Sequence, residues 1–596
     1  MKTYNTLVIG TGCAGYAAAD RLYTLGVRNI AIITEGRMMG TSRNTGSDKQ
    51  TYYKLSLCGA EGDSVREMAD TLYAGGGVMG EHALCEAAYS VRGFLHLVEL
   101  GVPFPTNEYG EYAGYKTDHD PRTRATSCGP LTSKYMTEAL ERSVMEKGIE
   151  IIDGERAVKI LTEDGTVSGV ATVSTKTGAL SVYAAENVIL ATGGPASLYK
   201  NSVYPESQSG ATGLAILAGA TLSNMEEWQY GLASTDFRWN LSGTYQQVLP
   251  RYISIDDCGT EREFLYDALG DASLGFIFLK GYQWPFDTRK CEGSSRVDLL
   301  VAAEIKAGRR VYLDFMHNPK GLEKGFSVLP EEAYNYLEKS GALFGTPIER
   351  LRKMNEGAIA LYADHGIDLT REYLATAVSA QHCNGGVMVD ANWESSIKGL
   401  YVVGEAAGTF GVYRPGGSAL NATQVGALRA ALHIAEKGEQ GARRAPVYTL
   451  PLIKRGDSLV AALRAEITAE MSRVADFDRS LAGMRALFAR VSELKDAFFD
   501  RVTIADASET ADLFRLYDTV ITMCATLSAM ITSGEEIGTH GSALVDRKAT
   551  LDTGVRQTRT LTEGDRSYLA PVSPMPDPEL WFETLLARQR AKEATK

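Results

Sequence analysis

Residues 4–26 read YNTLVIGTGCAGYAAADRLYTLG, which is an apolar run, a turn of small residues and an alanine-rich segment. This order predicts a strand, a tight turn and a helix, with Gly10, Gly12 and Gly15 spaced as G-x-G-x-x-G. Glycines at these positions let a pyrophosphate approach the helix N-terminus, where unpaired N–H groups favour negative charge. The turn residues expected to contact such a ligand are Gly10, Thr11, Gly12, Cys13, Ala14 and Gly15.

A second apolar run, VRNIAIITEG at residues 27–36, ends at Glu35. Glu35 lies about 20 residues beyond Gly15, which is the spacing of an acid that contacts a ribose hydroxyl in a dinucleotide-binding fold. The strand, the helix and the acid together predict a bound dinucleotide.

Later segments distinguish FAD from NAD. The hydroxyl-rich loop MMGTSRNTGS follows the second strand, and residues 151–194 read as alternating strands that end in ATGG. The segment IKGLYVVGEAAG gives another buried strand before a helix that begins near residue 418. A ligand that contacts all of these segments is long and deeply enclosed, which favours FAD as a permanent cofactor. The further expected contacts are Gly40, Thr41, Ser42, Val158, Thr192, Gly193, Glu405, Ala419 and Leu420.

Composition excludes several classes of protein. The 596 residues carry a net charge of -13 and show no basic stripe interleaved with aromatic residues, so nucleic acid is not expected as a partner. No run of 18 or more apolar residues occurs and no signal peptide is evident, so we expect a cytoplasmic protein without a membrane span. The eight cysteines and eight histidines show no metal-ligand spacing, so no metal site is expected.

The predicted fold is α/β, with a two-dinucleotide-binding-type (Rossmann-like) FAD domain. We place its first part at residues 1–229 and its second part at 351–440. An inserted α+β capping domain is expected at 230–350, where aromatic residues and turns are frequent. Helical apolar spacing predicts a helical C-terminal domain at 441–596, which ends in a solvated tail.

An ordered set of motifs runs along most of the chain: VIGTGCAG, DTLYAGGGVMGE, VILATGG, MEEWQ, SSRVDLLVAAEI, QHCNGGVMVD, GLYVVGEAAG and YRPGGSALNA. In this set the chain resembles the flavoprotein subunit of succinate dehydrogenase and fumarate reductase, with L-aspartate oxidase and soluble fumarate reductases as relatives. The resemblance implies catalytic roles for three residues. Arg296 would deliver a proton to the substrate, Arg414 would bind the substrate carboxylate, and His382 would hold the substrate.

Two departures from the family pattern change what the resemblance implies. Members with covalent flavin carry a histidine after the loop serine, whereas Arg43 follows Ser42 here, so FAD is expected to be held non-covalently. After EWQ the family usually continues Phe-His-Pro-Thr-Gly, whereas this chain has Tyr230, Gly231 and Leu232. One histidine that binds a dicarboxylate is therefore absent, and a larger or monocarboxylate substrate is a further hypothesis.

The sequence leaves several functions open. The first hypothesis is a reductase that transfers a hydride to the C=C bond of a small unsaturated carboxylate, with electrons from a separate donor or redox partner protein. The alternatives are a flavoprotein subunit of a larger iron–sulfur complex, of the succinate dehydrogenase or adenylylsulfate reductase type, and an amino-acid oxidase of the L-aspartate oxidase type.

Overall fold

The computed structural model describes residues 2–439, 447–548 and 556–594. A seven-stranded sheet forms the centre of the first domain, and five of its strands are parallel. The parallel strands are Glu150–Asp153, Ile30–Thr34, Thr3–Ile9, Leu180–Leu190 and Leu400–Val402, and the antiparallel strands are Thr166–Ser174 and Glu155–Glu163. The α/β fold is confirmed, and the meander predicted over residues 151–194 is present from Glu155 to Leu190, whereas Glu150–Asp153 is a parallel strand outside it.

The glycine turn joins the first strand to the helix Cys13–Thr24, as predicted. Gly10 has φ +114°, and a Cβ there would lie 2.4 Å from the carbonyl oxygen of Ala191, so only glycine is tolerated. The small buried face of this helix lets it pack closely on the helices Ser418–Lys437 and Thr132–Glu146. The other helices and strands before residue 220 are Thr41–Asn44, Thr51–Tyr53, Val65–Tyr73, Gly80–Glu99, Ala125–Ser127 and Thr212–Leu217.

A six-stranded antiparallel sheet carries the capping layer. Its strands in order are Trp239–Asn240, Trp228–Ser234, Leu374–Cys383, Arg310–Asp314, Arg251–Ile255 and Glu261–Arg262. Its helices are Thr244–Gln247, Phe264–Leu269, Ala272–Leu279, Ser295–Lys306, Glu331–Lys339 and Pro347–Asp364. The boundary expected at residue 350 falls inside the last helix, whose Leu351 and Tyr362 are buried in the same core as Leu232. The capping layer therefore extends to the strand that ends at Cys383.

The C-terminal region is helical up to residue 536 and then departs from the prediction. Its helices are Val460–Val474, Leu481–Asp496, Phe498–Arg501, Thr510–Glu536 and Phe582–Ala594, and the short strands Asp478–Arg479 and Leu544–Val545 pair. The hairpin Thr558–Glu563 and Arg566–Pro571 joins the strands Leu222–Ser223 and Gly386–Val387 in a four-stranded sheet. The last helix buries no residue, in keeping with a solvated tail. Residues 441–446, 549–555 and 595–596 of the predicted domain lie outside the described residues.

None of the helices in the described ranges combines the length and the apolar character needed to cross a bilayer.

Candidate active site

A cavity of about 690 Å³ lies between the glycine turn and the capping layer. Most of the predicted site residues line it: Gly10, Thr11, Gly12, Ala14, Glu35, Gly40, Thr41, Ser42, Thr192, Gly193, His382, Glu405, Arg414, Ala419 and Leu420. The structure thus brings together segments that are up to 410 residues apart in the sequence.

Four predicted residues do not line the cavity. The Cys13 thiol turns to Thr137 at 3.0 Å, although the Cys13 backbone N–H donates to Ser42 Oγ at 3.2 Å. Gly15 lies beneath the turn, where a Cβ would meet the carbonyl oxygen of Gly10 at 2.0 Å. Val158 packs in a separate hydrophobic cluster with the C-terminal helices. Arg296 is the fourth.

Arg296 is not among the residues that line the cavity, whereas Arg414 and His382 are. It begins the helix Ser295–Lys306, its side chain is 42% exposed, and Nη1 pairs with Glu292 Oε2 at 3.0 Å. A guanidinium that is half in water and paired one helical turn away is well solvated where it is. The expectation that Arg296 meets Arg414 at the site is corrected by this placement.

The polar surface of the cavity fits a dinucleotide cofactor. Thr41 Oγ1 and Thr192 Oγ1 line it and have no hydrogen-bond partner in the described part of the chain. A Cβ at Gly12 would lie 3.1 Å from Ser42 Oγ, so the bare backbone faces the space above the helix N-terminus. Backbone N–H groups and unpartnered hydroxyls are the donors that a pyrophosphate requires.

Glu35 lines the cavity but is also paired with two arginines. Arg156 Nη1 donates to Glu35 Oε1 at 2.5 Å, and Arg515, on the long C-terminal helix, contacts Oε2. Burial acts to raise the pKa of Glu35, but the two guanidinium groups outweigh it and hold the pKa below its ordinary value. A ribose contact by this ionised carboxylate stays a prediction.

Arg43 occupies the position at which the family resemblance would place a flavin-linked histidine. Its side chain is buried, and Nη2 pairs with Glu141 Oε2 at 2.7 Å on the helix Thr132–Glu146. Glu141 also binds Arg37 at 2.7 Å. The side chain at position 43 is therefore committed to an ion pair within the protein.

Arg414 is held at the cavity wall by neutral groups. Its Nη2 donates to Gln229 Oε1 at 2.7 Å, Nε to Asn384 Oδ1 at 3.3 Å and Nη1 to Ser418 Oγ at 3.4 Å. Among the described residues no carboxylate forms an ion pair with it, and Glu405 acts on it only through space. Desolvation lowers the pKa of Arg414 to about 10, so the guanidinium is charged at neutral pH.

His382 lies beside Arg414 and is neutral. Asn384 Nδ2 donates to the Gly411 carbonyl at 2.7 Å, so Asn384 Oδ1 is an acceptor and His382 Nδ1, 3.0 Å away, carries the proton. Burial and the charge of Arg414 hold the pKa of His382 well below 6.5. The Nε2 atom is thus a bare acceptor, and it has no hydrogen-bond partner in the described structure.

Glu405 is largely enclosed beside the same group. The Tyr204 hydroxyl contacts Oε1, and the Cys383 backbone N–H donates to Oε1 at 3.0 Å. Burial raises the pKa of Glu405. Its expected contact with the cofactor stays a prediction.

Sequence reasoning missed the groups that orient Arg414. Gln229 and Asn384 each lie within or next to a quoted motif, EWQ and QHCNGG, so their positions carried a signal. Four aromatic residues of the capping layer line the cavity, and no sequence motif indicated that they would: Phe278, Tyr282, Trp284 and Tyr336. Within the described ranges, no group of three or more His, Cys, Asp or Glu side chains is placed to hold a metal ion.

Comparison with known proteins agrees with this geometry. The family described as FAD binding domain matches residues 5–420. One subunit of the CoM/CoB fumarate reductase of Methanothermobacter marburgensis is 25% identical over 560 residues, which cover 90% of this chain and 93% of that protein. L-aspartate oxidase 2 of Ralstonia nicotianae is 25% identical over 418 residues, which cover 68% and 67%.

Solved structures share the fold along nearly the whole chain. Sdh1 of Mycobacterium smegmatis aligns with a TM-score of 0.73 at 19% identity, covering 99% of this chain and 98% of that one. FrdA of Escherichia coli quinol fumarate reductase aligns with a TM-score of 0.71 at 18% identity, covering 97% and 98%. The chain therefore belongs to the FAD-binding domain family, and it is an FAD-dependent oxidoreductase with the fold of the fumarate reductase and succinate dehydrogenase flavoproteins.

Proposed function

We propose that the protein reduces the carbon–carbon double bond of a small unsaturated carboxylate. The observation that supports this most is Arg414, a charged guanidinium at the cavity wall with no carboxylate partner in the described structure. An enclosed cation without a counter-charge favours an anionic ligand, and a guanidinium binds a carboxylate through two parallel hydrogen bonds.

Bound FAD would supply the electron pair as a hydride. Hydride addition to one carbon of an enoate leaves negative charge that spreads toward the carboxylate. Arg414 is placed to stabilise that charge as it develops, and Gln229 and Asn384 hold its guanidinium in one orientation. Removal of one such contact typically costs about 10²–10³ in rate.

His382 accepts a hydrogen bond in this reaction. Its Nε2 has no proton to give at neutral pH, because Nδ1–H is bound to Asn384 and the pKa of the ring is low. We assign His382 to substrate orientation. Arg296 is not assigned as the proton donor because its side chain is half exposed and paired with Glu292. A water molecule in the cavity would donate the proton that completes the new C–H bond at the other carbon, and the hydroxide left behind would take up a proton from bulk solvent.

The electrons would come from a separate donor. The relative that supports this part of the proposal is named as one subunit of a CoM/CoB fumarate reductase. A redox partner protein or a small donor would reduce the flavin before the carboxylate binds. Co-purification with an iron-containing chain would identify the first kind of donor.

A second candidate function is the oxidation of an α-amino acid. The bare Nε2 of His382 favours it, because a neutral imidazole lone pair beside a carboxylate-binding arginine can accept a hydrogen bond from the ammonium group of an amino acid. L-aspartate oxidases are among the relatives of this chain.

The experiment that separates the two candidates uses the purified yellow protein. In the first assay, reduced viologen is oxidised anaerobically in the presence of fumarate, crotonate, urocanate or cinnamate. In the second, hydrogen peroxide is measured in air with amino acids, L-aspartate included. Viologen oxidation that depends on an enoate supports the reductase. Peroxide formation with an amino acid and no reaction with any enoate refutes it.

A further inference from the structure

We propose that the substrate is an aryl-substituted unsaturated monocarboxylate, whose ring packs against aromatic side chains of the capping layer while its carboxylate binds Arg414. This proposal rests on the proposed function and specifies its substrate class. Three features support it: the charges of the cavity, the contact between Trp284 and Gly231, and the other aromatic rings of the lining.

The cavity offers one enclosed cation for a substrate carboxylate. Four Lys and Arg side chains line it: Lys49, Lys116, Arg156 and Arg414. Lys49 and Lys116 are exposed, and Arg156 is paired with Glu35. Arg414 alone among these four is both enclosed and without a carboxylate partner. A second carboxylate on the substrate would lie in the cavity without a matching enclosed cation, which is costly.

Trp284 occupies the space beside Gly231 on the strand that bears Gln229. A Cβ added at Gly231 would lie 2.8 Å from Cζ2 and 3.0 Å from Cε2 of the indole. Gln381, next to His382, donates to the Gly231 carbonyl at 3.0 Å. The indole of Trp284 therefore lies beside the strand whose Gln229 binds Arg414. Any side chain at position 231 would displace the indole.

The backbone around Trp284 is fixed by buried contacts. Lys280 Nζ donates to the Trp284 carbonyl at 2.7 Å and forms a fully buried ion pair with Asp298 at 2.7 Å. On the other side, the Phe286 N–H donates to the Tyr230 carbonyl at 2.7 Å. These contacts fix the backbone on both sides of Trp284, and the indole itself packs against Gly231. A side chain that is already placed lowers the entropic cost of binding. Its Nε1–H has no partner in the described part of the chain.

Three further aromatic side chains line the same cavity. Phe278 makes edge contacts with Tyr336, with centroids 5.4 Å apart, and with Tyr282 at 6.3 Å. All three line the cavity together with Trp284. Such rings favour a flat conjugated group in stacked or edge-on contact over a short alkyl chain. An aryl ring in conjugation with the double bond matches this wall.

The test compares acids on the intact holoenzyme. Calorimetry with the oxidised protein would measure binding of 3-phenylpropionate, butyrate and succinate, none of which has a double bond to reduce. We expect 3-phenylpropionate to bind roughly 2- to 13-fold more tightly than the other two, which is the range that a favourable aromatic contact gives. In the viologen assay, kcat/KM for cinnamate should exceed the values for crotonate and fumarate.

Variants locate the effect. Trp284→Ala should weaken 3-phenylpropionate binding by roughly 2- to 13-fold, and Trp284→Phe, which keeps a ring, should weaken it less. Trp581→Ala is the matched control, because Trp581 is 66% exposed and lies outside the cavity lining. If Trp284→Ala does not fold, the comparison of acids on the wild-type protein still decides the matter.

The outcomes separate the two proposals. Faster reduction of fumarate or crotonate than of cinnamate, with no preference for 3-phenylpropionate, overturns the aryl substrate and leaves the reductase standing. Tight binding of 3-phenylpropionate without reduction of any enoate overturns the reductase and leaves an aryl-acid site. If Trp284→Ala and Trp581→Ala weaken the binding of 3-phenylpropionate equally, Trp284 does not contact the ring.

Discussion

Replacement of Glu86 by Gln should make the stability of the protein less sensitive to pH. Glu86 lies on the helix Gly80–Glu99 and is 5% exposed. Asn421 Nδ2 donates to its Oε2 at 3.0 Å, whereas Oε1 has no partner in the described structure. Burial raises the pKa of Glu86 to about 8, against 4.5 for an unperturbed glutamate. Gln has the shape of the protonated acid and no charge to bury.

The size and sign of the effect follow from proton linkage. Between pH 4.5 and 8 the folded state keeps a proton on Glu86 that the unfolded state has lost, so the free energy of unfolding falls as pH rises. The fall is about 1.4 kcal/mol per pH unit well below the folded pKa and flattens as pH approaches it, which makes about 2 kcal/mol between pH 6 and pH 8. The stabilising effect of the proton is complete below pH 4.5 and is lost as pH rises through about 8. In Glu86→Gln the free energy of unfolding does not fall in this way as pH rises, because the amide does not titrate.

Thermal unfolding of both proteins at pH 6 and pH 8 would measure the difference. For a chain of this size, about 2 kcal/mol corresponds to a Tm change of roughly 2 °C, since the entropy of unfolding is near 2.1 cal/mol/K per residue. The Tm of Glu86→Gln minus that of the wild type should therefore grow by roughly 2 °C from pH 6 to pH 8. Glu99→Gln, an exposed position on the same helix, is the control and should show no such growth. An equal pH slope for wild type and Glu86→Gln would refute the reasoning.

Three further predictions concern the site. Arg414→Gln should lower kcat/KM for the carboxylate substrate by roughly 10²–10³ while the flavin absorbance is retained; steady-state kinetics that match the wild type would remove Arg414 from substrate binding. Arg296→Ala should keep kcat/KM within about two-fold of the wild-type value, because the half-exposed ion pair between Arg296 and Glu292 contributes little. A loss of about a hundred-fold in the same assay would show that Arg296 takes part in the reaction. Acid precipitation should release FAD into the supernatant, since Arg43 stands at the expected linkage position; absorbance that stays with the pellet would contradict non-covalent binding.

The sequence predicted those parts of the fold that local patterns encode. The glycine turn works this way, because Gly10 and Gly15 are required by contacts with atoms close to the same turn and with the adjacent strand. The long helix Thr510–Glu536 is also readable from its apolar spacing. The hairpin after residue 556 was missed although its two strands pair across the short turn Gly564–Asp565, which is a local signal that the prediction overlooked. The first strand also pairs with Leu222–Ser223, more than 300 residues earlier. Strand pairing at that separation leaves no periodic signal in either segment.

The site shows the same division between local and distant contacts. Arg414 was identified by its motif YRPGGSALNA, and the structure places it on the cavity. Arg296 was identified by its motif alone, and the motif did not show on which side of the helix the side chain would lie. The Arg515–Glu35 pair joins residues 480 positions apart, and the Trp284–Gly231 contact joins two positions that carry no motif in the sequence. Such contacts depend on the packing of whole domains.

The partners of Arg414 explain how an oriented guanidinium can keep its full charge for a ligand. Gln229, Asn384 and Ser418 present amide and hydroxyl oxygens, which fix the direction of the N–H bonds without supplying a negative charge. An aspartate at position 384 could make a similar hydrogen bond, but it would neutralise the cation and compete with the substrate carboxylate. Asn384 is itself fixed, since its Nδ2 donates to the Gly411 carbonyl in the loop that leads to Arg414. Its single oxygen accepts from both Arg414 and His382, so one neutral amide sets the direction of the cation and leaves the Nε2 lone pair of the imidazole free to accept.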